Sequence, residues 1–180
     1  MKLSRGNVRP TTGKVLGALF NILGASGDIA GARFLDLFSG TGQVALEALR
    51  RGASSVVAVE SSRAEARLIM SRLREVCGES EAVCVNADAR RAIPSLAKEG
   101  RAFSVIFADP PYGMGWGESL PLLIARHDVI LAPGGLFILE RSIRDSAAGP
   151  DSSGGVFTGR DDRIYGDTVL SIYRKIRTGE

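Results

Sequence analysis

Short apolar runs of strand length alternate along this chain with stretches whose apolar residues recur at helical spacing, a pattern that predicts strands covered by crossover helices in an α/β fold. Val15, Leu16, Leu19, Phe20 and Leu23 share one face of a first helix, which Thr11 or Thr12 can cap and Gly24 can end. Gly27 and Gly31 then turn the chain into a strand over 33–38 (Arg33 to Phe38). A helix from Val44 to Arg51, stopped by Gly52, precedes a second strand, Val56 to Val59, that ends in Glu60. Ser61 or Ser62 caps the next helix, reaching Cys77, and Val83-Cys84-Val85 forms a short third strand.

Asn86-Ala87-Asp88 opens a helix through Leu96, and Phe103 to Ala108 is the fourth strand. Gly117 to Arg126 reads as the last covering helix. Pro133-Gly134-Gly135 reads as a turn before a fifth strand, Leu136 to Leu139, ending at Glu140. The serine, glycine and alanine content of Asp145 to Gly155 predicts a mobile surface loop. Strands around Val156 to Thr158 and Thr168 to Tyr173 complete an edge hairpin. The expectation is a seven-stranded, mainly parallel sheet with helices on both faces and a C-terminal antiparallel hairpin, in one domain spanning 1–180, with a basic arm and helix over 1–24 and a catalytic core over 33–180.

Composition changes this picture little. The chain has 180 residues, 44% hydrophobic and 24% charged, enough for a full core without metal or disulfide staples. No run approaches the ~18 consecutive apolar residues of a membrane span, and the opening residues lack a secretory apolar core, so a cytoplasmic protein is expected. Cys77 and Cys84 read as reduced, mostly buried thiols; with His127 the sole histidine, no metal site is expected and His127 takes no role. A formal charge of +3 leans only weakly toward a polyanion. Its distribution says more: Lys2, Arg5, Arg9 and Lys14 precede the first acidic residue, Asp28, which makes the arm a candidate for phosphate contact.

The chemistry lies at the ends of the predicted strands. Asp36-Leu37-Phe38-Ser39-Gly40-Thr41-Gly42 sits where a strand turns into a helix, the position at which such sheets bind ligands, and its glycines allow close backbone approach. Glu60 can accept ribose hydroxyls, and Asp88 stands level with an adenine edge. Gly40-Thr41-Gly42-Gln43-Val44-Ala45 also satisfies a degenerate dinucleotide fingerprint. Asp36 would repel a pyrophosphate on the helix terminus, whereas a cofactor carrying sulfonium and ammonium groups suits a carboxylate there.

Asp109-Pro110-Pro111-Tyr112 closes the fourth strand. Two prolines donate no backbone hydrogen bonds and hold the chain extended, leaving carbonyls to accept. A carboxylate beside such a carbonyl suits an exocyclic amine, whose two protons they can grip, and Tyr112 offers a stacking face. Trp116, between glycines, is expected in the core.

With these residues in place the chain resembles the class I S-adenosylmethionine methyltransferases, and within them the bacterial RsmD-type family that methylates guanine-N2 in 16S ribosomal RNA. The glycine loop, Glu60, Asp88 and the Asp109 to Tyr112 tetrad carry the general resemblance. Arg9-Pro10-Thr11-Thr12 and Tyr165-Gly166-Asp167-Thr168 carry the specific one. The resemblance implies S-adenosylmethionine as cofactor, with Ser39, Gly40, Thr41 and Gly42 at its methionine portion, Glu60 at the ribose and Asp88 at the adenine, and Asp36, Phe38, Ser61 and Ala89 also in the cofactor site. It implies Asp109, Pro110, Pro111 and Tyr112 at the target amine, and Arg9 and Thr11, with Tyr112, as substrate contacts. Ribosomal RNA or the assembling small subunit is the implied partner of a monomeric enzyme that needs no metal and no membrane. The chain departs from the family pattern in having few residues ahead of Arg9 and in the glycine-rich Gly113-Met114-Gly115-Trp116-Gly117. Two other readings stand beside it: a DNA adenine-N6 methyltransferase, and a non-enzymatic nucleotide-binding domain of the same fold.

Overall fold

The computed structural model describes residues 13–78 and 80–177. In chain order its elements are α1 (Gly13–Ala25), β1 (Arg33–Leu37), α2 (Gln43–Arg50), β2 (Ser55–Glu60), α3 (Arg63–Val76), β3 (Glu81–Asn86), α4 (Ala89–Lys98), β4 (Phe103–Ala108), α5 (Trp116–Arg126), β5 (Leu131–Ser142), β6 (Phe157–Tyr165) and β7 (Thr168–Lys175). They build one seven-stranded sheet in the order β3-β2-β1-β4-β5-β7-β6. The first five strands in that order run parallel, and β7 is antiparallel to both β5 and β6.

Central strands are mainly apolar on both faces because both are covered. Phe34, Val56, Ala58, Val105 and Phe107 face one cluster, into which α1, α2 and α3 press Leu19, Phe20, Val44, Ile69 and Leu73. Their neighbours Leu35, Leu37, Val57, Val59 and Ile106 face the other, closed by Ile93 of α4 and Leu120 and Ile124 of α5. On that second side Phe137, Phe157 and Tyr173 stack across β5, β6 and β7, with ring centroids 5.2–6.3 Å apart. Ala82 to Val85 of β3 are only partly buried, as an edge strand requires, so Cys84 is half-buried rather than enclosed; Cys77 is likewise half-buried.

Three local expectations are corrected. Pro133-Gly134-Gly135 is not a turn before β5 but lies inside it, at a break in the β4 register between Phe103 and Val105. Pro133 is exposed there, and a Cβ on Gly135 would sit 2.9 Å from the Ser104 carbonyl oxygen, so the irregularity brings two backbones together. The stretch from Asp145 to Gly155 is anchored, not free. Ala148 is buried, its carbonyl accepts from the Tyr173 hydroxyl at 2.8 Å, its amide donates to the Gly117 carbonyl at 3.0 Å, and Pro150–Ser153 forms a 3₁₀ turn. Phe38 leaves the strand, adopting φ 64. Thr11 and Thr12, expected as caps of α1, lie outside the described residues.

No helix among the described residues is long and apolar enough to cross a membrane, and no cluster of metal-ligating side chains occurs among them.

Candidate active site

Parallel connection places the carboxyl ends of β1, β2, β3, β4 and β5 along one edge of the sheet. The chain carries an acid at or just beyond each: Asp36, Glu60, Asp88, Asp109 and Glu140. The site is therefore rich in acceptors.

Asp36 lies under the glycine loop rather than on it. It is 1% exposed, and its Oδ2 accepts from the Ala45 amide at 3.2 Å, in the first turn of α2. Burial pushes its carboxyl up to about 8; hydrogen bonds from Ser39 and Ala45 oppose the rise, and the charges of Asp109 and Glu60 add to it. Above it the loop folds tightly. Ser39 Oγ donates to the Asp36 carbonyl at 2.8 Å, the Gly42 amide to the Ser39 carbonyl at 2.7 Å, and the Ser39 amide to the Val59 carbonyl at 2.9 Å. Gly42 caps α2 at φ 77, where a Cβ would press within 3.1 Å of Ile69 of α3.

Glu60 ties this loop to the neighbouring strand end. Its Oε2 accepts from the Gly40 amide at 2.9 Å; its Oε1 accepts from the Ser62 amide at 2.7 Å and from the Ser61 hydroxyl at 3.3 Å. A loop amide that a pyrophosphate would need is thus engaged by a carboxylate, which disfavours the dinucleotide alternative. Beside it, Asn86 Nδ2 donates to the Glu60 and Ser61 carbonyls at 2.8 and 3.0 Å. Exposed Asp88 caps α4, accepting from the Arg90 amide at 2.8 Å, and Ala89 is buried beneath it.

The tetrad follows β4 directly. Asp109 is half-buried, Pro110 is buried, and Pro111 and Tyr112 face outward. Tyr112 is 37% exposed and its hydroxyl lies 3.3 Å from Glu140 Oε1 and 3.4 Å from Thr168 Oγ1. Burial, ahead of the nearby carboxylates, pushes the phenol up to about 12, so it stays protonated at neutral pH and donates to Glu140. Beyond it the Gly113 amide donates to Asp145 Oδ2 at 3.2 Å, fastening the glycine-rich segment to the β5–β6 connection.

Trp116 is buried, as expected, but it also joins two parts of the site. Its ring meets Phe38 edge-on at 4.8 Å, and the Arg90 guanidinium lies 3.9 Å from its centroid. A cleft of about 250 Å³ on the outer side of α4 and α5, lined by Arg90, Trp116, Leu122, Leu123 and Arg126 among others, contains none of the strand-end acids. His127 closes α5 at its far end, away from the loops. Arg9 and Thr11 lie outside the described residues.

Residue reasoning overlooked Glu140, Thr168 and Asp145 as parts of this site. Glu140 did carry a signal, an acid at a strand's carboxyl end like Glu60. Thr168 stood only in the family motif, and Asp145 had none.

A mainly parallel sheet ending in an antiparallel hairpin, with a glycine loop after the first strand and an acid at the second strand's end, defines a Rossmann-like class I methyltransferase. The family model described as conserved hypothetical protein 95 matches residues 1–174, and the chain belongs to that family, the RsmD-type group. Among its relatives is the putative rRNA methyltransferase YlbH of Bacillus subtilis, 33% identical over 169 residues, covering 94% of this chain and 89% of that one. The ribosomal RNA small subunit methyltransferase D of Escherichia coli is 28% identical over 174 residues, covering 96% and 82%. A solved structure, the putative methyltransferase YhhF of Escherichia coli, is 26% identical with a TM-score of 0.76, covering 94% of this chain and 89% of that one.

Proposed function

We propose that the protein transfers a methyl group from S-adenosylmethionine to the exocyclic N2 amine of a guanine in 16S ribosomal RNA. The observation that carries this reading is the Asp109 to Tyr112 tetrad at the end of β4, one strand from the glycine loop and two from Glu60. Its relatives named as ribosomal RNA methyltransferases favour RNA over DNA.

The residues present fit the cofactor. Glu60 has lone pairs left for a ribose diol while it holds the Gly40 and Ser62 amides. Asp88 and Ala89 border the adenine, and Phe38 to Gly42, with Asp36 beneath, border the methionine end. When bound, S-adenosylmethionine supplies an electrophilic methyl group on a positively charged sulfur. Glu60 and Asp109 give that charge a field in which to sit, while buried Asp36, whose carboxyl is pushed up to about 8, shapes the loop beneath it.

A guanine amine is a weak nucleophile because its lone pair is delocalised into the ring. Asp109 and the Pro110 carbonyl accept its two protons and turn the lone pair toward the methyl group, while the base stacks on Tyr112. Positioning supplies most of the acceleration. The amine becomes acidic only as the new bond forms, and Asp109 or water then takes the proton. Arg9 and Thr11 are assigned to RNA contact, and Arg9→Ala should raise the RNA KM, with the defect shrinking as salt screens the phosphates for both enzymes.

The test is incubation of the purified protein with methyl-labelled S-adenosylmethionine and, separately, unmodified 16S RNA, small subunits assembled on it, and duplex DNA, followed by nucleoside analysis. N2-methylguanosine from RNA or subunits is expected. N6-methyladenine from DNA would overturn the reading.

A further inference from the structure

Glu140 ends up in the site without a task in the chemistry above. It is 4% exposed, yet it stands near the carboxyl end of β5, two residues before Ser142, immediately beside the strand that delivers Asp109. Ala108 pairs with Leu139, so Asp109, the first residue beyond β4, leaves the sheet beside Glu140 of β5, and both carboxylates act on the Tyr112 phenol. The two acids therefore stand side by side, and the Tyr112 hydroxyl on Glu140 Oε1 puts the second one at the rim of the stacking ring. A base stacked on that ring with its amine at Asp109 would turn a neighbouring edge toward the β5 side, where Glu140 stands.

We infer that Glu140 reads the base: its carboxylate accepts the N1–H of the guanine whose N2 amine Asp109 holds, so that the site takes guanine and turns adenine away. This rests on the function proposed above. Guanine presents two neighbouring donors, N1–H and N2–H₂, which match two neighbouring carboxylates. Adenine, with its N6 amine at Asp109, would bring the N1 lone pair against the Glu140 charge. A carboxylate has about four acceptor positions, so it can take the imino proton alongside the phenol's. Thr168, 3.4 Å from the same phenol, fixes the ring from the β7 side, so the reading face is held by three elements.

The experiment compares wild type, Glu140→Gln and Tyr112→Phe in single-turnover methylation of small subunits whose 16S RNA carries either guanine or 2,6-diaminopurine at the nucleotide that wild type labels. Diaminopurine keeps the N2 amine but offers an acceptor at N1. Wild type is expected to favour guanine by about tenfold to a hundredfold. Glutamine can donate to that acceptor, so Glu140→Gln should cut the preference at least tenfold, a ratio that partial misfolding does not alter. Tyr112→Phe, which keeps the carboxylate, should slow both substrates and leave the ratio near that of wild type. Equal slowing of both substrates by Glu140→Gln, or a ratio lost in Tyr112→Phe instead, would overturn the assignment while N2-methylguanosine is still formed. If no guanine is labelled in any RNA, the proposed function and this inference fall together.

Discussion

The Glu60 carboxylate holds the Gly40 amide at 2.9 Å, so the strand-end acid assigned above to the ribose also sets the shape of the loop assigned to the methionine end. Removing it loosens both. Glu60→Ala is expected to raise the Kd for S-adenosylhomocysteine by about tenfold to a hundredfold, the loss of one or two hydrogen bonds to a charged group at roughly 1.5–3 kcal/mol. Titration calorimetry reads this directly.

Asp109 is expected to separate from Glu60 in that measurement. Asp109→Ala should abolish methyl transfer while S-adenosylhomocysteine binds within about threefold of wild type, because the proposed function assigns its carboxylate to the amine and not to the diol. Equal loss of cofactor affinity in both variants would refute this division of labour.

Asp36 predicts a pH dependence with a definite sign. Its carboxyl is pushed from the ordinary 3.8 to about 8 in the folded protein, first by burial. Between those values the folded state keeps a proton that the unfolded chain has released, so its stabilising contribution is full below about pH 4 and gone above about pH 8. Asp36→Asn still accepts from the Ala45 amide and does not titrate. The melting temperature of the variant relative to wild type should therefore climb as pH rises from 4 to 8 and level off beyond. A difference that stays flat across that window would mean that Asp36 titrates elsewhere.

Element order and strand ends were legible because periodicity reports local burial: every central strand is apolar on both faces, and β4 begins and ends where the apolar run does. What escaped depended on partners distant in sequence. Pro133-Gly134-Gly135 has turn chemistry, yet the pairs with β4 at Leu131 and Leu136, before and after it, carry the strand through it. Asp145 to Gly155 has the composition of a loose loop, yet Tyr173 and Arg160, from two later strands, hold the Ala147 and Ala148 carbonyls. Within the site, Asp36, Glu60, Asp88 and Asp109 announce themselves by position after apolar runs. Glu140 did too, but its link to Tyr112 spans 28 residues and exists only because β4 and β5 are neighbours.

Trp116 is the protein's single tryptophan, and its edge-on contact with Phe38 makes it an optical reporter of the glycine loop. Adding S-adenosylhomocysteine should change its emission, and the titration should return the calorimetric Kd. Arg90→Ala removes the cation from the ring face and should shift the starting emission with a stability change of about 0.5–2 kcal/mol. An emission that ignores the cofactor would show that the loop binds without moving against α5.

Gly117 is the point at which the segment after the tetrad is pinned to the β5–β6 connection. A Cβ there would collide with the Ser146 carbonyl oxygen, a backbone atom that cannot rotate aside, while the Gly117 carbonyl accepts from the Ala148 amide at 3.0 Å. Gly117→Ala must therefore push the connection away from α5, and with it Asp145, which holds the Gly113 amide next to Tyr112. Overpacking of this kind costs about 1–3 kcal/mol, visible as a lowered melting temperature. Because Tyr112 loses its neighbour's anchor whereas Glu60 and the glycine loop are untouched, the kcat for RNA should fall several-fold with cofactor Kd preserved. Gly24→Ala, inside α1 with open space around its Cβ, is the matched control and should leave both quantities alone. If Gly117→Ala lowered the melting temperature without lowering kcat, the connection would support the fold but not the amine pocket.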